Sequence, residues 1–108
     1  MIIYNKLVRD RIPEIIAAHG QTYEVRVLEE DEYRVALNHK LREEMDEYAR
    51  DEEIGELADL LEVIYALAAV KGVSAHALED LRSAKRKDRG GFDQRLLLVH
   101  VTDGQQTP

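Results

Sequence analysis

Two long stretches of the chain repeat apolar residues at the three- and four-residue spacing of a helix. They predict one helix over residues 32–50 and a second over residues 52–71, with Asp31 and Asp51 as the residues that cap them. Gly72 can end the second helix. This second helix has the broader apolar face, which suits the centre of a bundle or an interface between copies of the chain.

Shorter elements are predicted on either side of this helix pair. Pro13 can begin a short helix that Gly20 ends, and Ser74 can cap a third long helix that runs to about residue 85. Apolar and polar residues alternate over residues 22–28, and residues 94–102 are rich in Leu and Val. These two segments therefore favour short strands.

The fold class expected from these elements is mainly α, a helical bundle with a possible short two-stranded β element. A content of 44% hydrophobic residues with no Trp agrees with a bundle core of Leu, Ile, Val and Ala. With 108 residues, the chain is expected to form a single domain over residues 1–102, followed by a flexible tail over residues 103–108.

Acidic residues interrupt the buried stripes of the two long helices. Glu44 belongs to the same helical series as the apolar positions around it, and Asp59 shares a face with Val63. A lone buried carboxylate is costly or takes up a proton, so each of these acids needs a partner. The first stripe consists of Leu37, Leu41, Glu44 and Tyr48.

Four acids form two pairs, each with the three-residue spacing that places both members on one helical face. Only the eight residues 48–55 separate the pairs, so the helices must run antiparallel around a tight turn. Four facing carboxylates repel one another unless a cation joins them, and oxygen ligands suit Mg²⁺ or Mn²⁺. The alternative is a solvated face with salt bridges to Lys and Arg. The pairs are Glu44 with Glu47 and Glu56 with Asp59, and the turn brings Glu47 level with Glu56 and Glu44 level with Asp59.

Basic residues form two groups. The group that lies later in the chain precedes two glycines, which let a backbone approach a ligand, so this group is suited to holding phosphate. The alternative is that its cations complement the dipole at the end of a helix. For the earlier group the alternative is surface ion pairing. The groups are Lys85, Arg86, Lys87 and Arg89 before Gly90 and Gly91, and Lys6, Arg9 and Arg11 near the start of the chain.

Charge and composition argue against several classes of protein. The net charge of −7 argues against a nucleic-acid polymer as partner. The lack of Cys excludes disulfides and thiolate chemistry and fits a reducing compartment. Apolar stretches fall short of the ~20 residues that span a membrane, and no secretory signal is visible. A cytoplasmic protein with no membrane partner is expected.

The segments KLREEMDE and ELAD resemble the E-E-x-x-E and E-x-x-D motifs of the all-α nucleoside triphosphate pyrophosphohydrolases. That family comprises MazG-like proteins, dimeric dUTPases and phosphoribosyl-ATP pyrophosphohydrolases. The segments YNKLVRDRIPEII and RGGF are also similar to those of small MazG-like proteins, so the resemblance spans about residues 2–98. The acids in the motifs are Glu43, Glu44, Glu47, Glu56 and Asp59.

The resemblance implies hydrolysis between the α and β phosphates of a nucleotide, with release of pyrophosphate and a monophosphate. It implies that Mg²⁺ or Mn²⁺ is held by Glu44, Glu47, Glu56 and Asp59. Glu47 would be the general base and Glu43 a further catalytic acid near the site. It also implies a homodimer or homotetramer. The cations that would neutralise the outer phosphates are Arg9, Arg11, Lys87 and Arg89.

The turn between the two acidic motifs is shorter than is usual in this family. It leaves little protein to cover a base or sugar, so base selectivity stays open. A house-cleaning enzyme for unwanted nucleotides and the phosphoribosyl-ATP pyrophosphohydrolase of histidine biosynthesis share the chemistry, and both fit. A noncatalytic helical interaction module, with its acids in surface salt bridges, is the alternative from another class.

Overall fold

The computed structural model describes residues 1–103, which contain four helices. This confirms the prediction of a mainly α protein. Residues 104–108 of the predicted flexible tail lie outside the described residues. The helices are α1 (Ile12–Ala18), α2 (Glu30–Asp51), α3 (Ile54–Val70) and α4 (Ala75–Arg89).

The described residues divide into two compact units, one over Met1–Leu78 and one that begins at Glu79. The first unit contains α1, α2, α3 and the first turn of α4. The second contains the rest of α4 and the segment that follows it, described as far as Asp103. All four acids of the two predicted pairs belong to the first unit.

A two-residue reversal joins α2 to α3. Glu52 adopts the left-handed conformation with φ of 53°, and its amide donates a hydrogen bond to the carbonyl of Tyr48 at 2.7 Å. Glu53 is extended and precedes the first residue of α3. α2 and α3 therefore pack against each other as an antiparallel hairpin, as the short spacing predicted. The prediction that Asp51 caps α3 is wrong, because Asp51 is the last residue of α2.

The other helix ends follow local hydrogen bonding. The amide of Glu29 donates to the Glu32 carboxylate at 3.2 Å, so α2 begins with a capping box at Glu29, and Asp31 lies inside its first turn instead of capping it. The Ser74 hydroxyl accepts a hydrogen bond from the amide of Ala77 at 3.1 Å, which confirms it as the cap of α4. Gly20 follows α1 with φ of 76°, a conformation that glycine adopts without strain.

The core of the hairpin is small and contains a charged residue. In the part of the chain that the structure describes, Leu37 of α2, Val63 of α3 and Glu44 of α2 are the buried side chains. The first predicted stripe is thus confirmed, because Glu44 lies on the same buried face as Leu37, whereas Asp59 of the second stripe keeps 47% of its side chain exposed. A second face of α3 stays exposed, and it carries Ile54, Leu57, Leu61 and Ile64.

Neither of the two predicted strands forms within residues 1–103. Residues 21–29 and 96–103 have no regular secondary structure, and Val27 and Leu96 are exposed to 93% and 84%. A strand is stable only when its N–H and C=O groups pair with a neighbouring strand. Both segments have strand propensity, but neither pairs with a neighbouring strand within the described residues.

Candidate functional site

The α2–α3 hairpin places the four predicted acids on one shared acidic face. The charges of both Glu47 and Asp59 act on Glu44, and the charge of Glu47 also acts on Glu56. The antiparallel alignment derived from the sequence therefore brings α2 acids close to α3 acids. We call Glu44, Glu47, Glu56 and Asp59 the acidic face.

Glu44 is the most deeply placed charge of this face, with only 6% of its surface exposed. Its Oε1 atom lies 3.5 Å from the ammonium of Lys40, one helical turn away, whereas its buried Oε2 atom has no hydrogen-bond partner. Burial raises the pKa of Glu44, the charges of Glu47 and Asp59 raise it further, and Lys40 opposes them. One carboxylate oxygen is thus desolvated and left without compensation, which is energetically costly.

Glu56 presents a second buried oxygen without a partner, its Oε2 atom. Burial raises the pKa of Glu56, and the carboxylates of Asp51 and Glu47 raise it further. Asp51 was predicted from the sequence to cap a helix and not to belong to this cluster. Its position at the last residue of α2, directly before the reversal, explains its closeness to the first turn of α3.

Glu43 lies beside the acidic face and is held by cations. Lys6 and Lys40 approach its Oε1 atom at 3.4 and 3.5 Å. Burial alone would raise the pKa of Glu43, but Lys40 and Lys6 together lower it below the ordinary value. Glu47, in contrast, is half-buried and forms no ion pair with the residues that the structure describes. Of these two predicted catalytic acids, Glu47 has the carboxylate that its neighbours leave available.

Two of the predicted phosphate-binding cations lie in the first unit and differ in their partners. The guanidinium of Arg9 donates a hydrogen bond to Oδ1 of Asp59 at 2.7 Å, so Arg9 contacts the acidic face directly. Arg11 pairs with Glu14 in the first turn of α1 at 3.1 Å. Arg11 therefore forms a local surface ion pair, which was the predicted alternative to phosphate binding.

The other two predicted phosphate-binding cations, Lys87 and Arg89, lie in the last turn of α4, in the second unit. Gly90 ends this helix with φ of 86°, and its amide donates to the carbonyl of Arg86 at 2.7 Å. A side chain at position 91 would collide with the guanidinium of Arg86, which pairs with Asp93 at 3.0 Å. Gly90 therefore allows the helix to end, and Gly91 leaves room for the ion pair between Arg86 and Asp93.

A cavity of about 430 Å³ is lined by residues 89–96.

No three Asp, Glu or His side chains in residues 1–103 are arranged closely enough to hold a metal ion. The donor chemistry of the acidic face nevertheless fits a hard divalent cation, because two buried carboxylate oxygens on adjacent helices lack partners. Part of the remaining acidic charge is balanced by Lys40 and Arg9. The acidic face is thus a cluster of oxygen donors whose charge Lys40 and Arg9 balance only in part.

The fold and site define a helical hairpin with an acidic face. No family model and no solved structure matches this chain. A stretch of 42 residues is 57% identical to part of an uncharacterised protein of Mycolicibacterium smegmatis. This stretch covers 39% of the chain and 43% of that protein, so the chain matches less than half of its relative's length. None of the helices in the described part combines the length and apolar character needed to cross a membrane.

Proposed function

We propose that this protein is a Mg²⁺-dependent nucleotide pyrophosphohydrolase. The reaction adds water across the α–β phosphoanhydride bond of a nucleoside triphosphate or related nucleotide and yields a monophosphate and pyrophosphate. The observation that carries the proposal is the buried, unpartnered Oε2 atom of Glu44 on a face shared with Glu47 and Asp59. The sequence resemblance to the all-α nucleoside triphosphate pyrophosphohydrolases supports the same reaction.

The energetic argument concerns Glu44. The Glu44 carboxylate is almost fully buried, faces other carboxylates and has only one cation nearby, at 3.5 Å. Such a carboxylate lowers the stability of the fold. A divalent cation at this face would compensate the charge of Glu44 together with that of Glu47, Glu56 and Asp59. We therefore assign these four acids as the Mg²⁺ or Mn²⁺ ligands.

A bound Mg²⁺ supplies Lewis-acid polarisation of the phosphate oxygens. The residues of the chain then have separate tasks. Glu47, which no described cation pairs, accepts the proton of the attacking water. Glu43 is kept ionised beside the site by Lys40 and Lys6, and it helps to orient that water.

Cations are needed where negative charge leaves with pyrophosphate. We assign Arg9 and Arg11, from the segment before α1, to this neutralisation, and the sequence resemblance implies the same role for Lys87 and Arg89 at the end of α4. Arg9 has the strongest support of the four, because it already contacts the acidic face through Asp59. Its planar guanidinium also matches the geometry of phosphate oxygens.

The substrate is a nucleotide, and the proposed role is removal of unwanted nucleotides in the cytoplasm. The two-residue reversal between α2 and α3 offers no loop that would cover a base, which favours broad base selectivity. Phosphoribosyl-ATP is the alternative substrate, because its hydrolysis uses the same phosphate chemistry.

A noncatalytic helical interaction module is the second candidate function. The ion pairs of Arg9 with Asp59 and of Lys40 with Glu44 favour it, because they already balance part of the acidic charge. In this case the acidic face binds no metal, and its ion pairs only stabilise the hairpin.

A homodimer or homotetramer is part of the proposal. The second face of α3 carries Ile54, Leu57, Leu61 and Ile64 at spacings of three, four and three residues, and all four are exposed in the single chain. Such a stripe matches the seam through which helices associate. A second copy of α3 would bury it.

The decisive experiment measures pyrophosphate release from a panel of nucleoside triphosphates and phosphoribosyl-ATP with MgCl₂. Glu44→Gln removes the buried charge with almost no change in shape, and Glu62→Gln is the matched control, because Glu62 is an exposed residue of α3. We expect activity in the parent and in Glu62→Gln, and a loss of at least about 100-fold in Glu44→Gln. No release with any substrate, together with no Mg²⁺ binding, would favour the interaction module.

A further inference from the structure

The segment before α1 is attached to the acidic side of the hairpin by two ion pairs. We call residues 1–11 the arm. The Nζ atom of Lys6 lies 3.4 Å from Oε1 of Glu43, and the Nη2 atom of Arg9 lies 2.7 Å from Oδ1 of Asp59. These contacts join residues separated by 37 and 50 positions in the sequence.

The apolar tip of the arm is not what holds it in place. Met1, Ile2, Ile3 and Tyr4 are exposed by 66% or more, so the tip buries little surface. Asn5 adopts φ of 45°, a left-handed conformation that gives the backbone no additional stability. Leu7 is the half-buried residue of the arm, so the arm is held by the packing of Leu7 together with the ion pairs of Lys6 and Arg9.

Arg9 contacts the same carboxylate that the proposed metal would use. Asp59 accepts a hydrogen bond from Arg9 while Glu44, whose charge faces Asp59, has an unpartnered buried oxygen. A divalent cation shared by Glu44 and Asp59 would bring two positive charges close to the Arg9 guanidinium. The repulsion between cations at such range weakens the Arg9–Asp59 pair.

We propose that Arg9 is the built-in counter-cation of the acidic face, and that a divalent cation displaces it from Asp59 and thereby releases the arm. This inference rests on the proposed metal site. It gives Arg9 two positions: on Asp59 without metal, and away from Asp59 with metal, where its charge is available to a phosphate.

The exposure of the ion pair makes this exchange feasible. The side chains of Arg9 and Asp59 are 54% and 47% exposed, so water screens their attraction. A weak pair can hold the arm in the absence of a ligand and still yield to a doubly charged ion. A buried pair would resist the displacement.

Two measurements on the full chain test this inference. Isothermal titration calorimetry with MgCl₂ compares the parent with Arg9→Gln and Arg11→Gln. Arg11→Gln is the matched control, because it removes the same charge from the same arm, and the Arg11 side chain pairs with Glu14 and not with the acidic face. Cleavage of the arm by trypsin, which cuts after Lys6 and Arg9, is followed in the parent with and without saturating MgCl₂.

We expect Arg9→Gln to bind Mg²⁺ about two- to fivefold more tightly than the parent, with a change of less than about 1.5-fold in Arg11→Gln. We also expect trypsin to cleave the arm of the parent faster when Mg²⁺ is bound, because a released arm is more accessible to a protease. Equal affinities in the two variants, or arm cleavage that Mg²⁺ leaves unchanged or slows, overturn the displacement while the metal site stands. If the parent takes up no Mg²⁺, the proposed function fails together with this inference.

Discussion

Glu44 and Asp59 lie across the α2–α3 interface, close enough for the charge of Asp59 to raise the pKa of Glu44, yet each carboxylate is bound by a different cation. Lys40 approaches Glu44 at 3.5 Å, and Arg9 approaches Asp59 at 2.7 Å. The two acids are thus neighbours that share no partner. The consequences for stability, pH dependence and metal binding can each be measured.

The first prediction concerns the stability of the metal-free protein. Glu44→Gln removes a buried charge and its repulsion with Glu47 and Asp59, at the cost of the Lys40 pair. We expect the free energy of unfolding to stay the same or rise by about 1 kcal/mol. Urea denaturation with EDTA measures it, with Glu62→Gln as a surface control expected within about 0.5 kcal/mol of the parent. A large loss of stability in Glu44→Gln would contradict the account of an uncompensated charge.

The second prediction concerns pH. The folded-state pKa values of Glu44 and Glu56 are raised, so the folded chain binds more protons than the unfolded chain above the ordinary Glu pKa of about 4.3. Their contribution to stability is fully present below that pKa and is lost as the pH rises through the raised values.

We therefore expect the melting temperature of the metal-free protein to fall between pH 5 and the raised folded-state values. The decrease should be smaller in Glu44→Gln. Glu43 has a lowered pKa and acts in the opposite sense, because its contribution is lost only as the pH falls through that lowered value. Thermal denaturation in EDTA at a series of pH values checks both trends. A melting temperature that is independent of pH in this window would show that the pKa of Glu44 is not raised in the folded protein.

The third prediction concerns metal binding. MgCl₂ should stabilise the parent by mass action, by about 1.4 kcal/mol at ten times Kd. Asp59→Asn should weaken Mg²⁺ binding by at least about 10-fold, because it removes a ligand charge from the acidic face. Asp46→Asn is the matched control, because Asp46 is an exposed acid of α2. Calorimetry compares the three proteins, and equal affinities would remove Asp59 from the ligand set.

The fourth prediction concerns assembly through α3. Leu61 lies in the middle of the exposed stripe and keeps 45% of its surface accessible in the single chain. Leu61→Glu should convert the proposed homodimer or homotetramer into monomers, because a charge at such a seam would be buried without a partner. Light scattering after gel filtration measures the mass, and Glu62→Gln should assemble as the parent does. A monomeric parent would refute the assembly.

The fifth prediction concerns the start of α4. Ser74→Ala removes the acceptor for the amide of Ala77 and should destabilise the protein by about 1 kcal/mol. Ser83→Ala is the control, because Ser83 is an exposed residue in the interior of α4 and should change stability by less than about 0.5 kcal/mol. Chemical denaturation distinguishes the two variants.

The helical pattern was sufficient to predict the acidic face. Glu44 and Asp59 occupy positions that belong to apolar stripes, and the short spacing between the motifs leaves the two helices no arrangement but an antiparallel one. Both inferences depend on local geometry, which the sequence encodes directly. The start of α2 was mispredicted because Asp is a common cap, whereas Glu29 and Glu32 form the reciprocal arrangement in the structure.

Contacts between distant parts of the chain were not predictable in the same way. The pairs of Lys6 with Glu43 and of Arg9 with Asp59 join segments far apart in the sequence, and no periodicity links their positions. The two expected strands were mispredicted for a related reason. Alternation or a high content of Leu and Val shows that a segment fits a sheet, but it does not bring two such segments together.

The reversal at Glu52 and Glu53 also limits how the chain can vary in length. Each residue added to a helix turns the following side chains by about 100° around its axis. One insertion there, absorbed into α3, would rotate Glu56 and Asp59 away from the acids of α2 and would also turn Val63 out of the core. Insertions that lengthen α3 at the reversal should therefore weaken both the α2–α3 packing and the proposed cation binding, whereas insertions in the irregular segment before α2 should be tolerated.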